Sequence, residues 1–140
     1  MSTSKQQDSQ KHIDALLEPM LKQRLYIAIS TAVASPNELS PYVADHLEYI
    51  NDLAAKGLLF GSGPFIQPGI LVGDGMTILQ TRTIEEAHAL MENEPLIKLG
   101  LRKFDLRIWE LHEGRIDITL NLSTSTFGLS KAWDDTTSHT

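Results

Sequence analysis

The chain of 140 residues contains no cysteine. Disulfides, thiolate metal sites and a cysteine nucleophile are therefore excluded. The lack also fits the cytoplasmic location we expect. Long apolar runs are missing too. None approaches the roughly 20 residues that a membrane-spanning helix needs. Residues 1–10 are polar and lack an apolar h-region, so no signal peptide is expected. Basic clusters are absent, and the formal net charge is −6. Nucleic acid and anionic membrane surfaces are thus not expected as partners. No His-x-x-x-His pair or other close ligand set occurs, so neither a metal nor a cofactor is expected. No internal repeat is present.

What is present suits one globular domain. Hydrophobic residues make up 41% and charged residues 21%, ordinary values for a packed protein. Residues 1–10 read as a disordered polar segment. Residues 11–18 read as a short amphipathic helix, with Ile13, Leu16 and Leu17 on one face. Pro19 ends it. Residues 24–33 predict a central strand, apolar on both faces. Ser35, Pro36 and Asn37 mark a loop. Ser40-Pro41 predicts the start of a helix that runs to Lys56 and stops at Gly57. Its inward stripe is Val43, Leu47, Ile50, Leu53 and Ala54.

Strands are predicted over residues 58–66 and 76–82, separated by a stretch rich in turn formers. Thr83 to Glu86 has the spacing of a capping box. The helix it opens turns Ile84, Ala87 and Met91 inward and breaks at Asn93-Glu94-Pro95. Residues 102–111 predict a fourth strand, with Phe104, Leu106 and Ile108 on one face. Glu113-Gly114 predicts a hairpin turn into a fifth strand over residues 115–122.

The fold class is therefore α+β. Removing the leading helix and the extra C-terminal strand leaves βαββαβ, a ferredoxin-like order. Helices on one face leave the other face of the sheet to be covered. A second subunit does this most simply, so a homodimer is expected, with Phe127 and Trp133 of the tail joining the contact. The domain layout is a polar segment and helix over 1–22, the ferredoxin-like domain over 23–122 and a tail over 123–140.

Five histidines are candidates for chemistry. His12, His112 and His139 occupy terminal or turn positions and read as solvated. His88 borders the apolar stripe of its helix. His46 stands on the apolar face of the longest helix, three residues after Val43 and four before Ile50. A half-buried imidazole needs hydrogen-bond partners. Such a group serves either as a general base near neutral pH or as a core residue bonded to a backbone carbonyl. Asp45 lies about 100° around the helix from His46 and cannot orient it. The Gly73-Asp74-Gly75 run is too short for a phosphate loop and reads as a turn. Ser62 lacks the Gly-x-Ser-x-Gly spacing of a nucleophile elbow.

An ordered set of short matches resembles the YCII-related family. It includes His46-Leu47-Glu48-Tyr49, Asp52-Leu53, Lys56-Gly57-Leu58-Leu59-Phe60 and Ser62-Gly63-Pro64-Phe65. Gly73-Asp74-Gly75-Met76, Glu86-Ala87, Glu94-Pro95-Leu96, Gly100-Leu101 and Arg107-Ile108-Trp109-Glu110-Leu111 continue it in register. The resemblance implies a dimeric α+β barrel of two ferredoxin-like subunits. It also implies a cleft in which a histidine pairs with an aspartate just before a proline. One branch of the family resembles dehydrochlorinases of chlorinated hydroxyquinols. Related barrels include muconolactone isomerases and cofactor-free monooxygenases.

Carried onto this chain, the histidine is His46, and the acid's place before Pro95 is held by Glu94. That is a departure, because glutamate is one methylene longer than aspartate. The resemblance thus implies His46 and Glu94 as the catalytic pair of a lyase- or isomerase-type enzyme acting on a small oxygenated, aromatic or cyclic compound. Ser62, Phe65 and Trp109 are the expected substrate-binding residues. Two alternatives stand beside this: a non-catalytic module binding a small molecule or partner, and a structural dimer in which His46 is core.

Overall fold

The computed structural model describes residues 2–69 and 72–129. It divides into two compact units. One is Leu21–Leu111. The other joins the chain up to Met20 with the chain from His112 onward. Among the described residues, no helix is long and apolar enough to cross a membrane.

The larger unit begins with strand β1 (Gln23–Ala32), in which β-branched and small residues alternate. Two short turns lead to the main helix. Ser35 and Glu38 form a reciprocal capping box around a four-residue helix, Pro36–Leu39. A 3₁₀ turn, Ser40–Tyr42, follows. The main helix is Val43–Ala55. The helix start expected at Ser40-Pro41 thus lies five residues earlier, at Ser35-Pro36. Ser-Pro-x-Glu satisfies two orphan backbone donors reciprocally, whereas Ser40 makes no side-chain cap. Gly57, at φ +74°, ends the main helix as predicted.

Strands β2 (Leu59–Pro64) and β3 (Gly75–Leu79) come next. A helix, Ile84–Glu92, and a short one, Pro95–Lys98, precede β4 (Arg102–Leu111). Half of the capping box expected at Thr83 forms: the Glu86 N–H donates to Thr83 Oγ1, but the Glu86 carboxylate takes the Arg82 N–H instead. All four strands are antiparallel, in the order β2-β3-β1-β4. That is the ferredoxin-like arrangement of βαββαβ.

Pleat and register sort the side chains. Tyr26, Ala28 and Ser30 of β1 stand opposite Leu79, Thr77 and Gly75 of β3. They also stand opposite Ile108, Leu106 and Phe104 of β4. This face meets Ile50 and Leu53 of the main helix and Ala87 and Met91 of the next, forming the core. Both helices therefore lie on one face. The other face carries Ile27, Ile29 and Ile78, all half-buried.

The smaller unit differs from expectation at both ends. A helix spans Ser2–Leu17, not merely 11–18. Its Gln and Lys residues favour helix even without a buried face, and Gln10 bonds Asp14 one turn on. Glu113-Gly114 does not close a hairpin onto β4. Instead β5 (Ile118–Asn121) pairs with β6 (Thr126–Leu129) in its own two-stranded ladder. The tight turn is Leu122–Ser125, with Ser125 in the left-handed region at φ +52°. Ile118 and Leu120 stand opposite Leu129 and Phe127, so the apolar residues prefer to pair with each other. Phe127 lies in β6, exposed, while Trp133 and His139 lie outside the described residues.

The backbone of the larger unit favours glycine at position 73. Gly73 has φ +105°, and an added Cβ would stand 2.6 Å from Leu39 Cδ1 and 3.2 Å from Ala32 Cβ. Replacing Gly73 by Ala is expected to destabilise the protein by about 1–3 kcal/mol, from left-handed strain and crowding together. A urea unfolding midpoint unchanged from wild type would contradict this.

Candidate functional site

The site forms where the main helix passes the break between the two shorter helices. The chain cannot continue as helix through Asn93-Glu94-Pro95, because proline restricts the residue before it to extended backbone. Glu94 accordingly has φ −62° and ψ 129° and becomes the N-cap of Pro95–Lys98. Its carboxylate accepts from the Leu96 N–H and the Ile97 N–H, each at 3.2 Å. The remaining lone pairs of Oε1 meet His46 Nδ1 at 2.6 Å. Glutamate thus both caps a helix and reaches across to the main helix, which its extra methylene permits.

Burial separates the two partners. The Glu94 side chain is 1% exposed, that of His46 17%. Burial alone would raise the Glu94 carboxyl pKa. The hydrogen bonds from His46, Leu96 and Ile97 and the attraction of His46 together outweigh burial and hold it below the ordinary value. Glu94 is therefore a carboxylate and can only accept. When the His46 ring is neutral, the proton facing this carboxylate sits on Nδ1, and Nε2 is then the ring nitrogen with a lone pair.

Neighbouring groups lock this geometry. Tyr49, one turn along, donates its hydroxyl to the Leu90 carbonyl at 2.7 Å. Burial, then the charges of Glu94 and Asp52, raise the Tyr49 pKa, so it stays a neutral donor. On the far wall the Asp74 carboxylate accepts from the Ala32 N–H at 2.7 Å. Arg102 donates from Nε and Nη2 to the Gly73 carbonyl. Burial lowers the Arg102 pKa, while Glu94 and Asp74 pull it back up. Arginine remains charged throughout.

These walls enclose a cavity of about 520 Å³. Its polar lining includes His46, Ser62, Thr77, Asn51 and Arg102. Val43 and Leu47, expected inside the core, are 40% and 52% exposed because they border this space.

Of the residues expected at the site, the structure brings His46, Glu94 and Ser62 to this region. Ser62 Oγ stands 3.4 Å from Thr77 Oγ1. Phe65 and Trp109 do not line the cavity. Trp109 pairs with Leu25 in β4, a register that turns its ring to the opposite face from Tyr26 and Ala28. Phe65 follows β2, tied through its N–H to the Asp74 carbonyl with its ring partly in solvent. For Trp109, strand phase sets the direction of the ring. His88 packs its ring on Phe104 with centroids 5.2 Å apart and faces Glu92 at 3.3 Å, away from His46. Arg102 went unnoticed in the sequence. Its signal was there: it shares the inward phase of Phe104 and Leu106, where a cation is out of place. Among the described residues, no group of three His, Asp or Glu side chains could hold a metal ion.

A four-stranded antiparallel sheet with both helices on one face, and a cavity beside the main helix, defines an α+β domain of ferredoxin-like order. The family model of the YCII-related domain matches residues 24–110, and the chain belongs to that family. Among solved structures it is similar to 5-chloro-2-hydroxyhydroquinone dehydrochlorinase from Burkholderia phenoliruptrix, in complex with 2,5-dihydroxybenzoquinone. The identity is 22% and the TM-score 0.52, over 61% of this chain and 92% of that one. At that identity the likeness speaks for the fold. No curated protein sequence matches the chain.

The lowered Glu94 pKa has a consequence for stability. A carboxyl group held below its unfolded value stabilises the fold fully above that value, about 4.3 for glutamate. The contribution fades as pH falls through the lower, folded value. Glu94→Gln is expected to lose about 1–3 kcal/mol at neutral pH and to show a flatter decline of stability below about pH 4. Urea titrations across the acid range check this; parallel curves for the two proteins would contradict it.

Proposed function

We propose that this protein is a proton-transfer enzyme of the lyase or isomerase type, with His46 as general base. One observation carries the reading: a buried carboxylate holds His46 Nδ1 at 2.6 Å on the wall of a cavity sized for a small molecule. Glu94 fixes the tautomer and stabilises the imidazolium that forms. Nε2 takes a proton from a substrate hydroxyl or carbon. In an elimination, the electrons released move through the substrate and expel a leaving group with its bonding pair. In an isomerisation, the same proton returns to a different carbon. This step needs no cofactor. The fold it shares with a dehydrochlorinase supports the elimination. The substrate class is a small oxygenated compound, cyclic or aromatic, for which Ser62 supplies a hydroxyl at the wall.

His46→Ala is expected to lower kcat by about 10²–10⁴ on any substrate found by screening chlorinated hydroquinones, catechols and lactones. Binding retained with no turnover in either protein would instead assign a non-catalytic binding module. A substrate turned over equally by both proteins would sink the reading.

The proposal extends to a homodimer, in which a second copy covers the face bearing Ile27, Ile29 and Ile78. A soluble single-layer sheet gains most by burying such a face. Sedimentation should give twice the monomer mass, and Ile78→Asp should give the monomer with its circular dichroism intact. A monomeric wild type would refute the dimer.

A further inference from the structure

We infer that the ligand of this cavity carries an anionic oxygen, a carboxylate or an ionised enol, and that Arg102 binds it. The inference rests on the site reading above and narrows its substrate class. The chain as a whole is acidic, with net charge −6. The cavity wall is the reverse. Its lining holds no Asp or Glu, and Arg102 is its permanently charged group. An acidic protein that presents a lone cation to a partly apolar cavity favours an anion there.

The two carboxylates near Arg102 are committed elsewhere. Asp74 takes the Ala32 N–H, and Glu94 takes His46 and two amides. What holds the guanidinium is a neutral carbonyl, that of Gly73, through Nε and Nη2. A carbonyl orients the group without neutralising it. A guanidinium has five N–H donors in a rigid fork suited to paired oxygens, and Gly73 occupies one side of that fork. Gly75 leaves room beside the guanidinium: a Cβ there would stand 3.4 Å from Nη2 and 2.8 Å from the Gly63 carbonyl. Arg102 also sits in the inward phase of β4, opposite Ala32, where the charges of Glu94 and Asp74 offset only part of the cost of burying it. A ligand oxyanion would offset that cost. With the anion held at Arg102 and His46 lining the same cavity, the ligand would be oriented before the proton moves.

Two matched pairs of probes test this at neutral pH: 4-hydroxybenzoate against 4-hydroxybenzamide, and 2,5-dihydroxybenzoquinone against its dimethyl ether. Calorimetric titration of the wild type should show the acid of at least one pair binding about tenfold tighter or more than its neutral partner. The pair that responds tells a carboxylate from an enolate. Arg102→Gln should abolish the preference. Arg102→Lys should keep part of it, having the charge without the fork. Equal binding of acid and neutral partner to wild type overturns the inference and leaves the site reading standing. No binding by any of the four, with no His46-dependent turnover in the wider screen, overturns both. The wild-type comparison needs no variant, so it decides the matter even if Arg102→Gln fails to fold.

Discussion

A carboxylate taken out of water must find hydrogen-bond donors or give up its charge. Glu94 meets that demand with three donors drawn from two elements: the Leu96 and Ile97 amides of the helix it caps, and His46 of the main helix. The arrangement depends on a break in the chain. Pro95 forces Glu94 into extended backbone, and only an N-cap residue points its side chain back at the first amides of its helix. Without that break, no carboxylate would stand beside the inward face of the main helix. His46 would then keep its burial and lose its orientation. The interaction therefore joins three levels: a backbone restriction, a helix cap and the tautomer of a ring.

The opposite wall follows the same logic with the signs changed. Asp74 and Arg102 are each tied to backbone, not to one another. Each bond closes the loop before β3 onto the β1–β4 end of the sheet. Gly73 and Gly75 allow the close approach. The result is a cavity whose two ionisable wall residues, His46 and Arg102, have their partners outside the space they face. Apolar side chains fill the gaps. Val43 and Leu47 fall on the core-facing side of their helix yet retain exposed surface, because at that end of the helix the core gives way to the cavity.

Much of this was legible in the sequence wherever local rules act alone. The four strands of the larger unit, the stop at Gly57 and the break at Asn93-Glu94-Pro95 follow from side-chain period and backbone restriction. Candidate chemistry at His46 followed from its phase on an apolar face. Where two local rules competed, the sequence misled. Ser35 and Ser40 both precede or follow proline at a helix start, and reciprocal capping by Glu38 selects the first. The pairing of β5 with β6 rather than with β4 is a choice between two hairpins of similar local merit. Phe65 and Trp109 were expected in the pocket, although pleat phase turns Trp109 to the other face and Phe65 lies outside the cavity lining.

The sequence by itself determined the α+β class, the βαββαβ order and the inward position of His46, because each rests on neighbours within a few residues. Only the tertiary structure decided that Glu94, 48 residues away, meets His46 Nδ1. It alone brought Arg102 to the same cavity and left Trp109 out. Those facts depend on how helix ends and strand edges converge in space, and side-chain reach and desolvation act there without regard to separation along the chain.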